Sequence, residues 1–332
     1  MLKYFLYLLL FATLPARACD ICGCFMGITP YDNQSGFSLM HRYRIFNGYQ
    51  ALGQAHTLFP SGSNWLRPSG ELNADNGYKH AHTGDPTDFE AYRVVELRGK
   101  YFLSERLELN AFVPFLMNTE QANGKTLNLS GLGDMTVLAG YHLIRQIETS
   151  GVQSRLIVGG GLKLPTGNFR RTNATGQRYQ LLTQSGTGTT DAFLYGTYVA
   201  SLHGFGLSVT PSYRRSLYEN AFHNQLASSF TTFANFFYRL PLGPNWQVYP
   251  SAQFYYEKTD GEMLDGELTH EHALNDALLG PGLDVYYKNF SLNTSVQLPL
   301  FTATTDHPAS AGRVVLAVGY SFRQTKYLLG KR

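Results

Sequence analysis

Residues 246–258 read Trp-Gln-Val-Tyr-Pro-Ser-Ala-Gln-Phe-Tyr-Tyr-Glu-Lys. Trp246, Val248, Pro250, Ala252, Phe254 and Tyr256 alternate with Gln247, Tyr249, Ser251, Gln253, Tyr255 and Glu257. A period of two puts the first set on one face of an extended chain and the second on the other. The same alternation runs through Leu107, Leu109, Ala111, Val113, Phe115 and Met117, and through Met135, Val137, Ala139, Tyr141 and Leu143. It recurs in Phe205 to Pro211, Phe290 to Leu298 and Val314 to Phe322. These are strands with one apolar and one more polar face.

Extending the count gives twelve strands, at about 36–47, 88–102, 106–117, 131–145, 154–164, 190–202, 205–217, 227–240, 246–258, 273–287, 290–299 and 313–323. Each is long enough to cross an outer membrane at a tilt. The even-numbered gaps are short: Ser104-Glu105, residues 146–153, His203-Gly204, residues 241–245 and Lys288-Asn289. The odd-numbered gaps run to about 40, 13, 25, 9, 15 and 13 residues. An even strand count with alternating short and long connections is the pattern of a bacterial outer-membrane barrel, with turns in the periplasm and loops outside. A β-sandwich or propeller has no reason to sort its loops this way. The fold expected is therefore all-β, a transmembrane antiparallel β-barrel of about 12 strands, within two, over residues 36–323. Pro211, Pro250 and Pro281 fall inside strands and are expected to mark bulges, since proline cannot donate to a ladder. Tyr101, Tyr141, Trp246, Tyr287 and Tyr320 sit near strand ends, where interfacial girdles form.

Composition agrees. Of the 332 residues only 15% are charged and 14% are aromatic, which excludes a mainly disordered chain. The one long apolar run, Tyr4 to Leu14, is too short for a spanning helix. It follows Lys3 and precedes Ala16-Arg-Ala18, so residues 1–18 read as a signal peptide. Residues 19–35 are then an N-terminal periplasmic or plug segment, and 324–332 a C-terminal tail. The destination implied is the outer membrane of a Gram-negative bacterium, with its lipid as the first partner. A net charge of +3 carries no nucleic-acid signature, and neither a phosphate loop nor a zinc-hydrolase motif is present.

Gly131-Leu-Gly-Asp134, Leu164-Pro-Thr-Gly-Asn168 and Gly186-Thr-Gly-Thr-Thr-Asp191 follow in an order and spacing that resembles the outer-membrane transporter family named after the meta-cleavage pathway of phenol degradation. The likeness covers about residues 131–200. It implies a barrel that moves a small, hydrophobic or aromatic, organic compound. By themselves the motifs are turn chemistry: Gly and Asp where a strand starts tightly, Pro-Thr-Gly where one stops.

Two features fall outside that family pattern. All three cysteines, Cys19, Cys22 and Cys24, lie within six residues. They could hold a soft ion such as copper or zinc, form a disulfide with one thiol left over, or present Cys19 for lipidation after cleavage. His80-Ala-His82 and His270-Glu-His272 are His-x-His pairs in long loops, a spacing that points both imidazoles the same way in an extended segment. Together they define a metal-handling alternative to organic-solute transport. By parity Arg42, Arg44, Glu96, Arg98, Glu108, Asp134, Arg155, Lys163, Arg214, Arg239 and Glu257 point into the lumen, where mixed charge either selects solutes or pairs to fill a narrow barrel. An outer-membrane enzyme would need a nucleophile, base and orienting acid at one rim. No spacing in the sequence assembles such a set, so a channel and not an enzyme is expected.

Overall fold

A computed structural model describes residues 34–47, 56–57, 89–122, 124–146, 151–269, 273–304 and 309–322. Twelve long strands follow one another: β1 (Ser35–Asn47), β2 (Phe89–Phe102), β3 (Leu107–Ala122), β4 (Met135–Gln146), β5 (Gln153–Leu164), β6 (Asp191–Leu202), β7 (Phe205–Ser216), β8 (Ser229–Tyr238), β9 (Trp246–Thr259), β10 (Leu274–Tyr287), β11 (Phe290–Thr304) and β12 (Ala309–Phe322). Each pairs antiparallel with the next, and β12 returns to β1 with Ser35 opposite Phe322 and Tyr43 opposite Val314. The sheet is a closed, up-and-down, twelve-stranded barrel. Closure leaves no edge, so backbone donors and acceptors are met within the wall, as a hydrocarbon environment requires.

Side chains sort as the alternation dictates. Leu39, Leu97, Val137, Leu207, Leu283 and Val318 stand on the outside and are exposed. Between them Met40, Glu96, Leu138, Ser208, Asp284 and Val315 turn inward and are buried. At the end carrying the short turns, aromatic pairs ring the outer surface: Trp246 with Tyr287 and Phe205 with Tyr238, each at 4.5 Å between centroids, and Phe290 with Tyr320 at 5.1 Å. Amphipathic rings favour the membrane–water interface, so this belt marks one membrane boundary. His203 and Gly204 close β6 to β7 with both φ positive (50° and 90°), the twist a two-residue hairpin needs.

Two of the expected long loops are strand instead. Lys125–Leu132 pairs with the far half of β3 and runs into β4, so the gap at 118–130 is a tall hairpin turning at Gly124. The gap at 300–312 shrinks in the same way, because β11 reaches Thr304 and β12 begins at Ala309. Above the membrane a strand has no lipid face. Asn118, Thr119, Glu120 and Gln121 therefore lack the apolar alternation by which a strand is recognised.

The prolines mark gaps in the ladder, not bulges. Pro211 lies where pairing between β6 and β7 skips from Tyr195–Ser212 to Tyr198–Val209, and Pro281 where β10 and β11 skip from Leu279–Leu298 to Gly282–Ser295. Pro250 faces the break in pairing between Tyr238 and Leu240. Each skip is equal on both strands. A missing N–H removes a bond without inserting a residue, so register is kept. The bulges fall elsewhere, at Ile45/Phe46, His142/Ile144 and Ala277/Leu278.

Bulky lumen residues need room in the wall, which glycine provides. The ring of Tyr195 lies against Gly140 and Gly159, where a Cβ on either would collide with it, and Phe237 lies on Gly206 in the same way. Gly99, by contrast, has nothing within 4 Å of where its Cβ would be. Gly159→Val should therefore lower unfolding free energy by about 1–3 kcal/mol, read as an earlier urea midpoint in lipid vesicles, while Gly99→Val should leave the midpoint unchanged. Equal midpoints for the two variants would refute this account of lumen packing.

Candidate functional site

The connection from β5 to β6, residues 165–190, turns into the barrel at the long-loop end. Leu181, Leu182, Thr183, Gln184, Ser185 and Thr187 are all buried there. At its neck the backbones of Gly167 and Gly186 touch, since a Cβ on Gly167 would come within 2.7 Å of the Gly186 Cα. Only residues without a side chain allow that approach.

One carboxylate holds the neck shut. Asp134 Oδ1 accepts the backbone N–H of Gly167 at 2.9 Å, and Oδ2 accepts the N–H and hydroxyl of Thr187 at 2.9 and 2.7 Å. Thr166 donates its hydroxyl to the Gly133 carbonyl and accepts the N–H of Met135, both at 2.9 Å. Behind this bracket Asp191 Oδ2 meets Lys163 and Arg214 at 2.7 Å each. Its Oδ1 accepts the hydroxyls of Thr189 at 2.8 Å and Ser216 at 2.9 Å. Arg214 continues to Ser229 Oγ at 2.8 Å and the Ala227 carbonyl at 3.0 Å.

The inward part of the loop is fastened separately. Asn118 donates to the Thr183 carbonyl at 3.0 Å, Thr183 donates to Glu120 at 3.0 Å, and Arg171 donates to the Ser130 carbonyl at 2.6 Å. Leu181 and Leu182 pack with Leu226 and Phe169. Thus the three glycine-rich motifs are one lock. Each lies at the long-loop end of adjacent strands, which places them at one height in the wall. That topology was the signal available in the sequence. Thr187 and Thr189, which carry much of the bonding, stood in the third motif only as turn residues.

The remaining lumen charges are placed individually. Arg44 bridges Glu257 at 2.6 Å and Asp276 at 2.7 Å, with its guanidinium 4.7 Å over the Phe46 ring. Arg98 meets Glu96 at 2.5 Å and lies 5.3 Å over Phe112. Glu108 accepts from Asn110 at 3.2 Å and holds His142 Nε2 at 3.0 Å. Arg42 is buried, Arg155 is half-buried, and Arg239 is exposed at the short-turn end just past Tyr238. Asp276 and His142 belong to this set although the sequence reading singled out neither. The lipid-facing Tyr141 and Leu143 on either side of His142 were the available cue.

Toward the short turns the lumen opens into a cavity of about 140 Å³. Its walls include Ser38, Arg98, Asn110, Gln253, Asp284 and Asn293. Met40, Tyr255, Leu278 and Val315 form an apolar cluster across the lumen above it. Cys19, Cys22, Cys24, His80, His82, His270 and His272 lie outside the described residues. Among the described residues no three His, Cys, Asp or Glu side chains are grouped to hold a metal ion.

No protein-family model matches the chain, and neither does any curated protein. Among solved structures, an outer membrane channel from Pseudomonas putida F1 aligns with a TM-score of 0.59 at 15% identity, over 89% of this chain and 100% of that one. The β domain of the Bordetella autotransporter BrkA aligns at 0.44 and 10% identity, over 88% and 100% of the two chains. The transport unit of the autotransporter AIDA-I from Escherichia coli aligns at 0.46 and 11%, over 90% and 94%. The first likeness is one of fold, and this chain shares that fold: an outer-membrane-type β-barrel.

Asp134→Asn replaces one of the two carboxylate oxygens by NH2, so a donor faces the N–H of either Gly167 or Thr187, and the remaining oxygen is no longer charged. Hydrogen bonds to a charged acceptor are worth about 1.5–3 kcal/mol each, so opening of the loop should become about ten- to a hundredfold more frequent. Limited trypsin digestion of the folded barrel, scored at Arg170, Arg171 and Arg178, should speed up accordingly, and an unchanged cleavage rate would argue against the lock.

Proposed function

We propose that this chain is an outer-membrane channel for a small organic solute, with loop 165–190 as the stopper of its long-loop mouth. The observation that carries the reading is the division of the lumen. One half holds an inward loop fastened mainly by polar contacts, and the other half holds a cavity toward the short turns. A barrel needing only rigidity could fill its mouth with apolar side chains. Polar fastenings exchange readily with water or solute once the loop moves, which suits a part that opens.

Short turns lie in the periplasm in barrels of this kind, so the cavity faces the periplasm and the loop faces outward. The resemblance carried by the glycine motifs implies a hydrophobic or aromatic compound, and the cavity is of the size to take one ring. A cavity of about 150 Å³ suffices for benzene. Catalysis is not supported by the buried His–carboxylate pair. His142 gives Nε2 to Glu108, its Nδ1 has no hydrogen-bond partner, and the Phe102 ring lies 5.4 Å away, so no nucleophile is on the imidazole.

Replacing residues 170–184 by a short Gly-Ser linker should raise single-channel conductance in planar bilayers several-fold over the full-length protein. It should likewise speed uptake of single-ring aromatic compounds into proteoliposomes. A loop-deleted barrel that conducts no better than the intact one would refute the stopper, and absence of any ion or solute flux from both would refute the channel.

A further inference from the structure

The cavity at the short-turn end has a chemistry of its own. Its ceiling is apolar, with Met40, Phe112, Phe233 and Val315 among the residues that line it. Its walls are amides and hydroxyls contributed from around the barrel: Asn110 on β3, Asn235 on β8, Gln253 on β9 and Asn293 on β11, with Ser291 and Ser295 beside the last. Asn110, Asn235, Gln253 and Ser295 are buried at the cavity wall, where Asn110 also donates to Glu108 at 3.2 Å and Gln253 Oε1 accepts from Gln297 at 3.3 Å. Charge of both signs is present. Arg98 and Lys100 come from β2 and Asp284 from β10.

Each class of solute can be weighed against these walls. A hydrocarbon would displace water from the amides and return no hydrogen bond, at a cost of about 1–3 kcal/mol for each polar group stranded. An anion meets Asp284, and a cation meets Arg98 and Lys100. A neutral ring with a single hydroxyl satisfies one wall and strands the others. The match is a neutral ring that is apolar on its faces and carries several hydroxyls around its rim, because a hydroxyl both donates and accepts, as amides do. A volume of about 140 Å³ limits the solute to one such ring.

We propose that this cavity is a periplasm-facing binding site for a cyclic polyol of monosaccharide size, its ring face on Phe112 and Met40 and its hydroxyls on the amides of β3, β8, β9 and β11. The proposal rests on the channel reading and departs from it on the solute, putting a hydroxyl-rich ring in place of the hydrophobic or aromatic compound that the glycine-motif resemblance implies.

The test uses full-length protein purified in detergent, with saturation-transfer difference NMR against glucose, galactose, inositol, phenol and toluene. Saturable binding of at least one polyol, and weaker or absent binding of toluene and phenol, is expected. Asn293→Leu and Gln253→Leu should each weaken polyol binding by roughly fivefold, the worth of about one hydrogen bond, with gel mobility of the folded barrel retained. Asn293 is half-buried with no short bond to a neighbour, so its variant keeps the fold even if that of Gln253 does not. Binding of toluene or phenol but no polyol would overturn the proposal, as would polyol binding indifferent to both variants. Planar-bilayer conductance of the same preparation separates the two readings: ion flux without polyol binding leaves the channel standing and removes this site, whereas no flux removes the channel.

Discussion

A sheet that crosses hydrocarbon must satisfy its backbone internally, and a sheet does so only by closing on itself. The pairing of β1 with β12 is that closure, and most other features follow from it. Closing twelve strands yields a lumen wider than the side-chain-filled eight and narrower than an open porin. Such a lumen is too large for small residues to fill and too small to be bulk water. Its contents are consequently large polar side chains in pairs: Arg44 with Glu257 and Asp276, Arg98 with Glu96, His142 with Glu108, Lys163 and Arg214 with Asp191. Taking away one partner of such a pair strands a charge, which typically costs about 3–5 kcal/mol. Closure thus explains why the charges buried among the described residues are mostly held in pairs across the lumen.

The membrane-embedded wall was legible in the sequence because lipid imposes a period of two on it. Strand limits at Asn47, Phe102, Leu164, Leu202 and Tyr287 fall where the alternation ends. Arg42, Glu96, Glu108 and Arg214, expected from parity on the inward face, are all buried. What lies above the membrane was less legible. The hairpin at 118–130 has no lipid face, so the alternation that marks the membrane-embedded strands is missing from its residue pattern. Arg239 lies just past the end of β8, at the short-turn rim, where it is exposed.

Loop 165–190 shows a further limit. Its glycines and threonines read as local turn signals, each correct in isolation. Their common purpose depends on Asp134 reaching across to Gly167 and Thr187, and on Asp191 gathering Lys163, Thr189, Arg214 and Ser216. Periodicity does not encode such a convergence. It emerges once three strand ends are known to be neighbours. The cavity is a similar case: Asn110, Asn235, Gln253 and Asn293 are spread over nearly two hundred positions of chain and become one surface only after the barrel closes.

The lock and the seam differ in how much chain they must gather. Every residue of the Asp134 and Asp191 bracket falls between Gly133, just ahead of β4, and Ser229 at the start of β8, whereas β1 and β12 must meet across the whole barrel. Contacts close in sequence form sooner than distant ones, because less loop entropy is lost in making them. The mouth can therefore be stoppered while the wall is still an open ribbon. In that order the seam of β1 and β12 closes around a loop already in place, and the bracket does not depend on the seam.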